Sequence, residues 1–85
     1  MIIWKYELAI TEIQTLTIPC MAKILSVANQ NGKLCLWVMV QPANKTEERN
    51  IEIIGTGRSI SVANRKFLDT VIMNPFVWHV FERLN

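Results

Sequence analysis

Few of the residue types that carry chemistry occur in these 85 residues. Cysteine is limited to Cys20 and Cys35, without a C-x-x-C spacing, which argues against the disulfide framework that staples small secreted domains and for two buried free thiols in a reducing cytoplasm. His79 is the sole histidine and Asp69 the sole aspartate. A Ser-His-Asp triad would therefore need both of them with Ser26, Ser59 or Ser61, and none of these serines stands in a G-x-S-x-G elbow. One histidine and two distant cysteines give no metal-ligand set at a recognised spacing. Glu47 and Glu48 are adjacent, so on a strand they point to opposite faces and do not make an acid and base pair. No apolar run approaches the roughly 18 residues of a membrane span, and no stretch reads as a targeting segment. Nine basic and seven acidic residues give a formal charge of +2 with no basic stripe, too weak a balance for duplex nucleic acid. The expectation is a non-enzymatic protein without metal, cofactor or membrane partner.

What the chain does have is apolar residues, 51% of the total. Its length allows one domain, residues 1–85, and sits near the lower limit at which a single core sustains a fold. Small domains of this kind are stabilised by disulfides, a metal or self-association. With the first two unsupported, a homo-oligomer is expected.

Alternation is the dominant pattern. In IIWKYELAI, Ile2, Trp4, Tyr6, Leu8 and Ile10 share one parity while Lys5 and Glu7 take the other, as in a strand with one face in the core. IQTLTI reads as a second strand, ended by Pro19. In AKILSVANQNGKLCLWVMVQ, Asn31-Gly32 between two β-rich runs predicts a two-residue type I′ hairpin. That turn sets Gln30 opposite Lys33, Val27 opposite Leu36, Ser26 opposite Trp37 and Leu25 opposite Val38. Both faces of the hairpin are then apolar, with Trp37 on the face away from Leu36 and Val38. QPANKTEERN is a loop leading into a strand over RNIEIIGTG, which places Arg49, Ile51 and Ile53 on one face and Glu52 and Ile54 on the other. SVANRK reads as a turn, FLDTVIM as a strand, Asn74-Pro75 as a break and FVWHVFERL as a final strand. A helix over SVANRKFLDTVIM is the one open alternative. The repeat of SVAN at Ser26 and Ser61 is too short to mark a duplication. About seven short strands describe an all-β protein, with at most one short helix, folded as a compact antiparallel sandwich or small barrel.

The stretch IIGTGRSI carries the best candidate site. It is neither a dinucleotide fingerprint, because Ile60 stands where the third glycine belongs, nor a Walker loop, because Arg58 follows the second glycine. Two readings remain: Gly55 and Gly57 permit a tight turn, or the amides from Gly55 through Thr56 to Gly57 form an anion nest assisted by Arg58 and Ser59. His79, among Trp78, Val80 and Phe81, reads as a hydrogen-bonded structural imidazole. Trp4 and Trp78 read as core residues, whereas Trp37 is expected at a subunit interface or against a ligand.

Taken together, AKILSVANQNGKLCLWVMVQP, ERNIEIIGTGRSI and the closing VWHVFE resemble a family of small proteins of unknown function encoded by tailed bacteriophages and prophages. The likeness spans most of the chain and keeps the order of its segments; relatives carry a more acidic turn in place of SVANRK. The resemblance implies a dispensable accessory protein acting in the cytoplasm of an infected bacterial host. Within that setting the favoured function is anti-defence: a sponge whose subunit junctions enclose a cyclic oligonucleotide or an ADP-ribose derivative. Arg58, Ser59 and the glycine-loop amides would take phosphates, and Trp37 or Tyr6 would stack a base. The alternative is an inhibitor or adaptor that docks on a host protein through a strand edge or apolar patch.

Overall fold

The structure, a computed structural model, describes residues 1–61 and 63–84. Val62, within the second SVAN tetrapeptide and the turn expected over SVANRK, lies outside the described residues, as does Asn85. The strands are β1 (Ile2–Leu8), β2 (Ile13–Pro19), β3 (Lys23–Gln30), β4 (Lys33–Val40), β5 (Thr46–Gly55), β6 (Arg65–Met73) and β7 (Phe76–Arg83). They form two antiparallel sheets, ordered β1-β4-β3 and β2-β5-β7-β6, in a particle of 40 × 32 × 16 Å. The short dimension is that of two stacked sheets about 10 Å apart. The all-β sandwich is as expected, and β6 occupies the segment for which a helix was the alternative.

The β3–β4 hairpin turns at Asn31 and Gly32, with φ of 53° and 82°, the positive values a type I′ turn requires. Gly32 N–H donates to Asn29 Oδ1 at 2.9 Å, which ties the turn to its own strand. The register agrees with the sequence from Gln30↔Lys33 to Ser26↔Trp37 and then departs from it, because Ile24 and not Leu25 faces Val38. A β-bulge at Leu25 is the cause. The extra residue flips the parity beyond it, so Ile24 packs on the core and Leu25 is 43% exposed.

Strict alternation along β4 sends Leu34, Leu36, Val38 and Val40 inward, where with Leu8 and Val27 they meet Ile18, Ile51, Ile53, Val71 and Val80 from the other sheet. Cys35, Trp37 and Met39 take the outer face. Cys35 is buried there among its neighbours, and Trp37 and Met39 are half-buried. Trp4, read from the sequence as core, is 37% exposed, because β1 is an edge strand with a neighbour on one side only.

The sheets meet along β3 and β6. Opposite the bulge in β3, β6 carries its own at Leu68, after which Asp69 faces inward and its Oδ2 accepts the Val27 amide at 3.3 Å. The edge of β3 is thereby partly capped. At the mouth of this seam Arg49 donates from Nε and Nη2 to Glu82 at 2.5 and 2.7 Å, and from Nη1 to the Ala22 carbonyl at 2.7 Å. The hydrogen bond to Glu82 pushes the Arg49 pKa upward against the opposing effect of burial.

Candidate functional site

Glu52 points out of the second sheet, away from Ile51 and Ile53, yet it is only 6% exposed. What covers it is arginine. Arg65 on β6 donates from Nε and Nη2 to the two Glu52 oxygens at 2.6 and 3.1 Å, and Arg83 on β7 approaches to 3.7 Å. The planar guanidinium meets both carboxylate oxygens at once, the arrangement that makes arginine the residue of choice for a desolvated pair. Its remaining nitrogen, Nη1, donates to the Ser61 carbonyl at 2.7 Å. One side chain thus joins the sheet to the segment that follows the glycine turn.

That segment and the sheet enclose a cleft of about 200 Å³, lined among others by Glu12, Ile54, Arg58, Ser59, Ser61 and Arg65. Arg58 Nη2 is paired with Glu12 Oε1 at 3.0 Å, but both side chains are mostly exposed, at 66% and 82%. Such a pair contributes little to stability, so an incoming anion can displace Glu12 cheaply.

The glycine stretch itself is a tight turn. Arg58 N–H donates to the Gly55 carbonyl at 3.2 Å, and Gly57 has φ of 92° at the third position, where a type II turn needs a positive value. Thr56 N–H is also engaged, by the Val77 carbonyl at 3.3 Å. Of the three amides expected to form an anion nest from Gly55 to Gly57, that of Thr56 is thus committed to the Val77 carbonyl; Arg58, Ser59 and Ser61 supply side chains beside the turn. Gly55 has a separate reason to be glycine: a Cβ there would lie 3.3 Å from Trp78 Cζ3. Gly57→Ala, although nothing within 4 Å obstructs a methyl group, is expected to destabilise the protein by about 1–2 kcal/mol through its left-handed backbone alone. Urea denaturation of the pair of proteins measures it.

On its other side the same turn borders a second cleft of about 260 Å³, lined by Gly55, Thr56, Pro75, Phe76, Val77 and Trp78. Phe76 stacks on Trp78 with centroids 5.4 Å apart and planes at 23°, and Phe76 is 56% exposed. Here the structure corrects the aromatic assignment. Lys5 faces Trp37 and Tyr6 faces Leu36, so Trp37 and Tyr6 lie on opposite faces of the β1-β4-β3 sheet. Neither reaches the glycine turn, which belongs to the other sheet. The phenol of Tyr6, packed against the core, is pushed up from its ordinary pKa by burial. Phe76 and Trp78 share the inward parity of Val80, whereas the aromatics that adjoin the Arg58 cleft on the outer face are Phe67 and Phe81, an edge-to-face pair with centroids 5.5 Å apart that lines a cleft of about 210 Å³ with Ile60, Ser61 and Arg65. The pairing that puts Phe81 opposite Glu52 joins β5 to β7 across an intervening strand, and no local pattern announces it.

His79, opposite Ile54 on the outer face, ties the glycine turn to β6. Its Nε2 lies 2.7 Å from Thr56 Oγ1 and its Nδ1 3.0 Å from Thr70 Oγ1. Both ring nitrogens have hydroxyl partners, one in the turn after β5 and one on β6, the environment of a positioning imidazole. Cys35 is buried, Cys20 is partly so, and both thiols are free.

Fold and site together define a small two-sheet antiparallel sandwich whose polar and aromatic clefts flank one glycine turn. The chain belongs to the family described as a domain of unknown function, DUF7352, which matches it over residues 1–85. No curated protein and no solved structure matches it.

Proposed function

We propose that the protein is a non-catalytic binding protein that sequesters a small nucleotide-type ligand, in the manner of a phage accessory protein removing a host immune signal in the host cytoplasm. One observation carries this reading: the cleft that holds Arg58, Ser59 and Ser61 shares Ile60, Ser61 and Arg65 with an adjoining cleft walled by the exposed Phe67 ring and by Phe81. A phosphorylated nucleoside asks for both, a cation for its phosphate and a flat apolar surface for its base. Arg58 and Ser59 take the phosphate, with Ser61 beside them, and the exposed Phe67 ring offers its face to the base.

A cyclic dinucleotide and ADP-ribose are the probes. Either is expected to raise the thermal midpoint of the wild-type protein in proportion to RT ln(1 + [L]/Kd). Arg58→Ala is expected to abolish the rise while lowering the unliganded midpoint by no more than about 4–8 °C, since an exposed ion pair contributes at most about 1 kcal/mol and that amount moves the midpoint of a domain this small by about that much. An unchanged midpoint with both probes, together with recovery of one stoichiometric host polypeptide from infected-cell extract, would favour the second reading, a protein-docking inhibitor. That reading draws on the large exposed side chains outside the clefts, Ile3, Ile72 and Leu84 among them.

A further inference from the structure

Four strands stand at sheet margins in this sandwich, and three of them are protected. β3 donates its Val27 amide to Asp69 and carries a bulge; β6 runs alongside β3 and carries another. β2 exposes Thr15 and Thr17 and ends at Pro19, which has no amide hydrogen to offer. β1 has no bulge, no proline and no capped amide, and its exposed Lys5 and Glu7 are of opposite sign, so that a copy of itself can satisfy both. Ile2–Leu8 pairs with β4 through seven consecutive positions and exposes Ile2, Ile3 and Trp4 at 49%, 57% and 37%. A regular, uncapped margin with an apolar first half is a template for another strand.

The charges on β1 select which strand. In an antiparallel pairing of β1 with a copy of itself, residues directly opposite share a face, so the register fixes what Lys5 and Glu7 meet. A two-fold axis at Lys5 sets lysine on lysine, and one at Glu7 sets glutamate on glutamate. An axis at Trp4 leaves Lys5 opposite the partner's Ile3. Only an axis at Tyr6 pairs Lys5 with the partner's Glu7 and Glu7 with the partner's Lys5, while Trp4 covers the partner's Leu8 and the two Tyr6 rings meet. We propose that the protein forms a two-fold dimer through β1, in this register, joining two β1-β4-β3 sheets into one of six strands. Lys5 already donates to Gln30 Oε1 at 2.8 Å, and Glu7 lies 3.6 Å from Lys33 Nζ; these contacts are exposed and can be shared or exchanged on association. The interface lies in the sheet that does not contain the Arg58 cleft, so it stands or falls independently of the ligand reading.

Charge reversal tests both the surface and the register. Wild type is expected to sediment as a dimer within roughly 1–100 µM, the range suited to a small interface. Lys5→Glu alone and Glu7→Lys alone each turn two attractive contacts into two repulsive ones and are expected to weaken the dimer about tenfold or more. An equimolar mixture of the two variants restores both attractions and is expected to associate as wild type does, which also shows that each variant is folded. A wild type monomeric throughout that range would overturn the proposal. So would dimers indifferent to both reversals, or variants that stay apart when mixed.

Discussion

Arg49→Met is expected to lower the unfolding free energy by roughly 3–5 kcal/mol, because it leaves the Glu82 carboxylate in the sandwich mouth without its cation. The Glu82 side chain is 8% exposed and both its oxygens are bonded to Arg49, so water cannot readily replace the lost donors. The same substitution frees the Ala22 carbonyl, which adds to the loss. Lys66 stands opposite Glu82 in the β6–β7 ladder and is exposed. A swing of that chain toward Glu82 would hold the effect at the lower end, and Lys66→Met in the Arg49→Met background removes the compensation. The pair itself is a different quantity. Arg49→Met with Glu82→Leu removes both charges and replaces them with apolar volume, so the double variant is expected to lie within about 1–2 kcal/mol of wild type or above it. Urea denaturation of all the proteins at one fixed concentration gives the cycle, fixed because a self-associating chain has concentration-dependent stability. Equal losses in the single and double variants would mean that the guanidinium stabilises the mouth by packing and not by neutralising Glu82.

The sequence carried the fold further than it carried the site, for a physical reason visible in particular residues. Period-two alternation is a local signal, and it survives in β1, β4 and β5, where Leu36, Val38, Ile51 and Ile53 take the parity read from the chain. The Asn31-Gly32 turn fixed its register through the torsions of those two residues, again locally. The first failure comes at Leu25, where a bulge inserts one residue and reverses the parity beyond it. Bulges answer to what lies across the sheet, here the approach of β6 to β3, and a single strand does not reveal them. The site failed on the same ground. Trp37 drew attention through its hairpin register, yet the aromatics adjoining the Arg58 cleft, Phe67 and Phe81, come from β6 and β7, and β7 reaches β5 only after β6 has been laid down. Most plainly, Glu52 sits in an alternating run as an outward, solvent-facing acid. Its burial depends on Arg65, thirteen residues away, and side-chain pairing at that range has no periodicity to read.

Arg65→Met is the variant that joins fold and site, and it is expected to destabilise the protein by roughly 2–4 kcal/mol. The figure lies below that for Arg49 because Arg83, at 3.7 Å, remains to neutralise part of the Glu52 charge. Arg83→Met, whose side chain is 45% exposed, is accordingly expected to change stability by no more than about 1 kcal/mol. Arg65 differs from Arg83 in one further respect: it alone also reaches the Ser61 and Ala63 carbonyls, at 2.7 and 3.4 Å. Without it the segment carrying Arg58 and Ser59 loses its tether to the sheet, so local opening should increase more than global unfolding does. Trypsin reports this directly, because Arg58 lies within the segment. Cleavage after Arg58 is expected to accelerate in Arg65→Met and to stay near the wild-type rate in Arg83→Met, at a temperature where both are folded. Arg65→Lys separates the two duties, since an ammonium neutralises Glu52 but cannot span carboxylate and carbonyls from one rigid plane. It is expected to recover most of the global stability while leaving cleavage after Arg58 fast. Restored protection in Arg65→Lys would show that charge alone orders the cleft and that the guanidinium tether to Ser61 is incidental.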